Sequence, residues 1–249
     1  MKKILLIQFL FFSLVSAFAQ NQFGYIDSAL IPKPGYHYQQ EYTFDSPVNP
    51  SKWQSQTGLH TSFASTDQTY FRSEVPGINQ TQNLTVTAWK GERLNTMILV
   101  WSADTISQVR VLLNELRSSG GNTIGKNNLK AQLVRYVVSN YPYGAREVTC
   151  GEGPVDKAYL LPDRLESFDR FELPGKTVRP IWLSIDIPSS AVAGIYSGEI
   201  NVQSEKQNFK LQVSVKVQDH VLPKPHDWSY RLDLWQNPWV IAEYYKVKP

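Results

Sequence analysis

A chain of 249 residues has room for one or two domains. Its 25 Lys and Arg stand against 22 Asp and Glu, and without Lys2 and Lys3 the balance is 23 to 22, a net of +1. That near-neutrality argues against nucleic acid, or an acidic membrane, as a partner held by bulk charge. A single cysteine, Cys150, excludes an intrachain disulfide and reads as a small buried hydrophobe. His37, His60, His220 and His226 are scattered, so no Cys/His cluster has metal-ligand spacing and no cofactor is expected.

The N-terminus reads as an export signal. Met1-Lys2-Lys3 is a positive segment, residues 4–15 are apolar except for Gln8 and Ser13, and Ala17-Phe18-Ala19 is a small-x-small cleavage site before Gln20. The apolar run is shorter than the ~20 residues that span a bilayer. No cysteine sits at the cleavage point to carry a lipid. The mature protein is therefore expected to be periplasmic or secreted, without a membrane anchor.

Residues 20–50 are turn-rich, with Pro32, Pro34, Gly35, Pro47 and Pro50 placed to interrupt any helix. Two short strand candidates follow at 58–64 and 69–73. Over 83–90, Leu84, Val86 and Ala88 alternate with Thr85, Thr87 and Trp89. Gly91-Glu92 makes a tight connection into 96–101, which is apolar on both faces, as a central strand would be.

Residues 104–118 fit two periods. Val109, Leu112, Leu113 and Leu116 make a helical stripe, while Val109, Val111 and Leu113 alternate. Residues 129–140 form a β-branched, aromatic-rich strand. Residues 141–178 read as a long irregular excursion punctuated by Pro142, Gly144, Gly151, Gly153, Pro154, Pro162, Pro174 and Gly175.

The clearest strands lie between 180 and 218. A strand at 181–187 ends at Pro188. Tyr196, Gly198, Ile200 and Val202 then share one face, and Phe209, Leu211, Val213, Val215 and Val217 share another across a polar turn. Val221-Leu222-Pro223-Lys224-Pro225 reads as a stiff linker. Beyond it, 228–249 reads as a strand followed by a helix start, rich in Trp and Tyr and without a partner to bury them. Such a unit is the expected opening of a βα domain that stops after its first strand and helix.

Four segments, in order and spacing, resemble the N-terminal domain of glycoside hydrolase family 123. The first is Trp89-Lys90-Gly91-Glu92-Arg93 with the following strand to Trp101. The second is Arg135-Tyr136-Val137, with Cys150-Gly151 and Leu161-Pro162-Asp163-Arg164-Leu165. The third runs from Arg179-Pro180-Ile181-Trp182 to Pro188 and on through Ala193-Gly194-Ile195-Tyr196-Ser197-Gly198. The fourth joins Leu222-Pro223-Lys224-Pro225-His226-Asp227-Trp228 to Leu232-Asp233-Leu234-Trp235-Gln236-Asn237-Pro238.

The resemblance implies a β-sandwich followed by a (β/α)₈ barrel. The barrel would carry an exo-acting, retaining β-N-acetylgalactosaminidase in which the substrate's acetamido oxygen is the nucleophile, assisted by an adjacent Asp-Glu pair. Substrate assistance departs from the two-carboxylate scheme of most glycosidases. Here no Asp directly precedes a Glu, and only 28 residues follow Val221, where a barrel needs about 200 or more. No catalytic residue carries over.

The expected fold is all-β: residues 1–19 a signal, 20–220 an antiparallel β-sandwich, 221–227 a linker, and 228–249 the start of a truncated barrel. Asp233 and Trp235 would bind substrate only in a complete barrel; Trp235 packed between strand and helix is the plainer reading. A glycan containing N-acetylgalactosamine is the expected partner, through the missing barrel, and this chain alone is expected to be inactive. Glu92 and Arg93 could meet sugar hydroxyls, but a salt bridge is the simpler role. Asp163 and Glu166 are the only carboxylates to consider as a pair, and acid–base work would need one of them desolvated. The alternative is a free-standing carbohydrate-binding or adhesive module. Its motivation is the seven Trp, thirteen Tyr and eleven Phe, which suit sugar rings as well as β-sheet cores.

Overall fold

A computed structural model describes residues 25–27, 49–139, 157–229 and 242. The elements are β1 (Tyr25–Asp27), α1 (Pro50–Gln54), β2 (His60–Ala64), β3 (Asn83–Lys90), β4 (Arg93–Ser102), β5 (Ile106–Leu113), β6 (Leu116–Ser118) and β7 (Thr123–Ile124). They continue with β8 (Leu129–Ser139), β9 (Lys157–Glu166), β10 (Phe171–Leu173), β11 (Thr177–Asp186), β12 (Gly194–Gln203) and β13 (Asn208–Val221). One sheet has the order β1-β9-β8-β11-β4-β2. The other has the order β10-β5-β12-β13-β3, with β6 also paired to β12 and β7 paired to β6.

The two sheets pack face to face because each strand buries alternate side chains. On β13, Leu211, Val213, Val215 and Val217 are buried; on β12, Tyr196, Ile200 and Val202 are. They meet Ile98 and Val100 of β4, Leu129 and Leu133 of β8, and Ile181, Leu183 and Ile185 of β11 in one continuous core. The predicted hairpin is present, with Tyr196 opposite Val215 and Val202 opposite Phe209.

Among the described strands the expected antiparallel pairing holds everywhere except at one edge. β3 lies parallel to β13, with Leu84 beside Val213 and Ala88 beside Val217. Parallel strands need a long crossover. Here most of the sandwich separates the two, so neighbouring periodicity could not reveal the pairing. From β3 the chain turns at Gly91, at φ +83°, and crosses to the other sheet as β4. The Gly91 amide donates to the Ile187 carbonyl at 2.9 Å, and the Ile187 amide donates to the Glu92 carbonyl at 2.8 Å.

Residues 104–118 hold the strands β5 and β6 and no helix. Ile106 and Val109 both pack on the core although they are three apart. Gln108 between them has φ +59°, and the β10–β5 register shifts at this place. A bulge of this kind moves one residue out of alternation and imitates a helical spacing. Leu112, a member of the helical stripe, is 42% exposed.

Three further expectations are corrected. Pro50 does not interrupt a helix but opens α1, where its missing N–H costs nothing. Residues 69–73 are turn and irregular backbone, tied to the sheet where the Val178 amide donates to the Arg72 carbonyl at 2.7 Å. The expected excursion at 141–178 contains β9 and β10. Pro162 fits inside β9 because it sits opposite Tyr136 where the β8–β9 register shifts, and a bulge tolerates proline. Cys150 and the signal lie outside the described residues, as do residues 230–241 and 243–249.

The six-stranded sheet is apolar on both faces at β4. Met97, Leu99 and Trp101 point away from the sandwich and pack with Val178, Trp53 and Tyr70 in a second core. The segments on either side of β2, residues 50–57 and 65–78, cover this outer face. The Trp53 indole donates to the Ser73 carbonyl at 3.0 Å, the Trp101 indole to Gln56 Oε1 at 3.1 Å, and the Tyr136 hydroxyl to the Tyr70 carbonyl at 2.9 Å. A buried Trp removes about 150–250 Å² from water. At ~25 cal/mol per Å² that is roughly 4–6 kcal/mol as an upper bound, against about 1 kcal/mol for an exposed ion pair. The aromatic rings therefore hold this cover in place.

Gly198 marks the point where β12 changes neighbour, from β6 at Ser197 to β5 at Ile200. A Cβ there would lie 2.8 Å from the Glu115 carbonyl oxygen and 2.8 Å from Leu116 Cδ2. Gly198→Ala is expected to cost about 1–3 kcal/mol through overpacking. Urea unfolding followed by circular dichroism measures this, and an unshifted midpoint would mean that β6 does not press on β12 as described.

Candidate functional site

The sequence-derived residues do not converge. Asp233 and Trp235 lie outside the described residues. Glu92 Oε2 accepts a 2.7 Å bond from the Trp89 amide, which braces the corner between β3 and β4. Arg93 grips Asp186 on the paired strand, Nε to Oδ1 at 2.5 Å and Nη2 to Oδ2 at 3.0 Å. Both side chains act within the scaffold.

Asp163 and Glu166 both belong to β9 but are turned to different surroundings: Glu166 to Arg135 and Arg164, Asp163 to the outer face of the sheet. Glu166 lies between two guanidinium groups: Arg135 Nη2 and Nε donate at 2.9 and 3.1 Å, and Arg164 Nη2 donates at 2.9 Å. The Arg135 hydrogen bond, with the charges of both arginines, holds the Glu166 carboxyl below its ordinary range. Such a group stays ionised at neutral pH and is unsuited to protonating a leaving group. Asp163 faces away, into a cleft on the outer surface of the sheet.

That cleft, about 360 Å³, is the arrangement best suited to hold a ligand. Its floor is apolar, formed by Met97, Val134 and Trp182 on adjacent strands. Leu165, 42% exposed, stands at one side. The rim is polar, with Thr66, Asp67, Gln68 and Thr69 on one bank and Asp163 on the other. Trp182 is half-buried, and its indole N–H donates to Asn95 Oδ1 at 3.1 Å. Ser184 Oγ donates to the same oxygen at 2.8 Å, so Asn95 fixes the ring edge. Asp67 and Asp163 are both exposed, whereas a catalytic acid needs desolvation.

Sequence reasoning missed this cleft. Trp182 did carry a signal, because it alternates with Ile181 and Leu183 and so belongs to the face away from the core. Its polar bank comes from an irregular segment whose position no periodicity encodes. Among the described residues, no three His, Cys, Asp or Glu side chains form a group able to hold a metal ion.

The Glu166 cluster makes a pH prediction. A carboxyl with a folded pKa below its unfolded value contributes stability above the unfolded value, and loses it as pH falls through the folded one. Glu166→Gln is therefore expected to cost about 1 kcal/mol at neutral pH. The gap to the wild type should close through the acid range. Thermal melts of both proteins between pH 7 and 3 check this, and a gap that widened on acidification would contradict it.

The family model for the glycoside hydrolase 123 N-terminal domain matches residues 63–204, from β2 to the end of β12. Among solved structures, a family 123 glycoside hydrolase from Clostridium perfringens, described for glycolipid glycan hydrolysis, aligns with a TM-score of 0.66 at 24% identity. The alignment covers 77% of this chain and 32% of that one, so this chain spans about a third of that enzyme. The CooA pilin subunit from enterotoxigenic Escherichia coli aligns over 66% of this chain and 99% of its own at 11% identity, with a TM-score of 0.31, too low to carry an argument. No curated protein matches the chain. With the family model covering more than half of its 249 residues, the chain belongs to the glycoside hydrolase 123 N-terminal domain family.

Proposed function

We infer that this β-sandwich is the non-catalytic N-terminal domain of an exported family 123-like glycosidase whose catalytic barrel acts on glycans ending in β-linked N-acetylgalactosamine. The observation that carries the reading is the family match over 63–204, joined to the fold shared with a family 123 enzyme. The leader-like residues 1–19 support export without a membrane anchor. The placement of Asp163 and Glu166 supports a non-catalytic role, since the two are turned to different surroundings and Glu166 is neutralised by arginines.

In this reading the sandwich presents and steadies the barrel, and the chemistry belongs to the barrel. An Asp-Glu pair there would orient the substrate acetamido group and protonate the leaving oxygen. Asp233 and Trp235 would lie at the end of the first barrel strand, where barrel sites form.

Incubation of the purified chain with an aryl N-acetyl-β-galactosaminide is expected to release no aryl alcohol above background. The same assay on a protein that includes the downstream barrel is expected to show turnover. Hydrolysis by this chain that disappears on substituting one of its own carboxylates would overturn the reading.

A further inference from the structure

We propose that the outer-face cleft floored by Trp182 is a binding subsite for one uncharged saccharide unit. A pyranose has one face of C–H groups and an equator of hydroxyls. It needs an aromatic or aliphatic floor and hydrogen-bonding groups around the edge. The cleft offers both. Met97, Val134 and Trp182 form the floor, and Asp67, Gln68 and Asp163 stand at the rim. Its volume of about 360 Å³ is within the range of small-ligand sites, roughly 300–1,000 Å³.

The floor is preorganised. Asn95 holds the Trp182 indole N–H from one side, and the outer core packs against the ring from beneath. A ring fixed before the ligand arrives loses little entropy on binding. The opposing bank is positioned by the same core: Tyr70, next to Thr69, is buried in it. Its hydroxyl donates to the Ser65 carbonyl at 3.2 Å, closing the turn that carries Asp67 and Gln68.

Charge selects the class of sugar. Two carboxylates line the cleft and no lysine or arginine does, among the described residues. Carboxylates accept hydrogen bonds from neutral hydroxyls and repel sialylated or sulfated units. A larger neighbouring cleft of about 530 Å³ lacks such a platform, because its aromatic residues, Phe63 and Tyr70, are buried in the two cores.

The inference rests on the family reading only for placing the protein among glycans. The site would hold a glycan chain while the barrel cleaves it, or anchor the protein near its substrate. The test is a printed array of neutral and sialylated oligosaccharides probed with the purified chain, followed by calorimetry with the strongest neutral binder. Binding is expected to favour neutral glycans. Trp182→Ala should weaken it by about tenfold or more. Trp182→Tyr should retain most of it, and Asp163→Ala, at an exposed rim position, should weaken it without changing the melting temperature. No binding to the array, stronger binding to the sialylated set, or affinity unchanged in both Trp182→Ala and Asp163→Ala would overturn the proposal. None of these outcomes bears on the aryl-glycoside assay, so failure of the subsite and failure of the family reading are separable.

Discussion

The pairing of β4 with β11 is the constraint on which the other parts depend. Ten residue pairs run in unbroken register from Arg93–Asp186 to Ser102–Thr177. Every residue of β4 from Met97 to Ser102 is buried, so this strand has no solvent face over that length. One side supplies Ile98 and Val100 to the sandwich core, and the other supplies Met97, Leu99 and Trp101 to the outer core. A sheet buried on both faces must be covered on both. The second sheet covers one face, and residues 50–57 and 65–78 cover the other.

The outer cover leaves a cleft floored by Trp182 at its margin. Trp53 and Tyr70 seal the cover against Trp101 and Val178. Farther along β11 the cover stops short, and Trp182 lies half-buried at its margin. A ring there has an apolar support beneath it and a polar bank beside it. The cover segment thus also supplies one bank of the cleft, and loosening the core under Tyr70 would displace Asp67 and Gln68 together. Charge pairs contribute elsewhere: Arg93–Asp186 and Lys90–Asp219 pin the ends of strands at the solvent edge.

Strands whose burial follows strict alternation were legible from the sequence. β13, with five apolar residues at every second position, read directly, and so did the continuous apolar run 97–101 within β4. Legibility failed where one residue breaks the period. Gln108 bulges in β5 and mimics a helical stripe, and Pro162 within β9 made a strand look like loop. It failed again where pairing is long-range, as in the parallel contact of β3 with β13. The family was legible because short motifs such as Trp89 to Arg93 and Leu161 to Leu165 keep their order along the chain. The cleft was not legible, because its two banks are separated by almost a hundred residues and meet only through the outer core.

Native-state hydrogen exchange tests the central claim most directly. If the doubly buried pair organises the molecule, the amides of Arg93–Ser102 and Thr177–Asp186 will exchange slowest, at the rate set by global unfolding. Amides of the edge strand Asn83–Lys90 will exchange faster. Exchange in β4 and β11 as fast as in that edge strand would contradict the account.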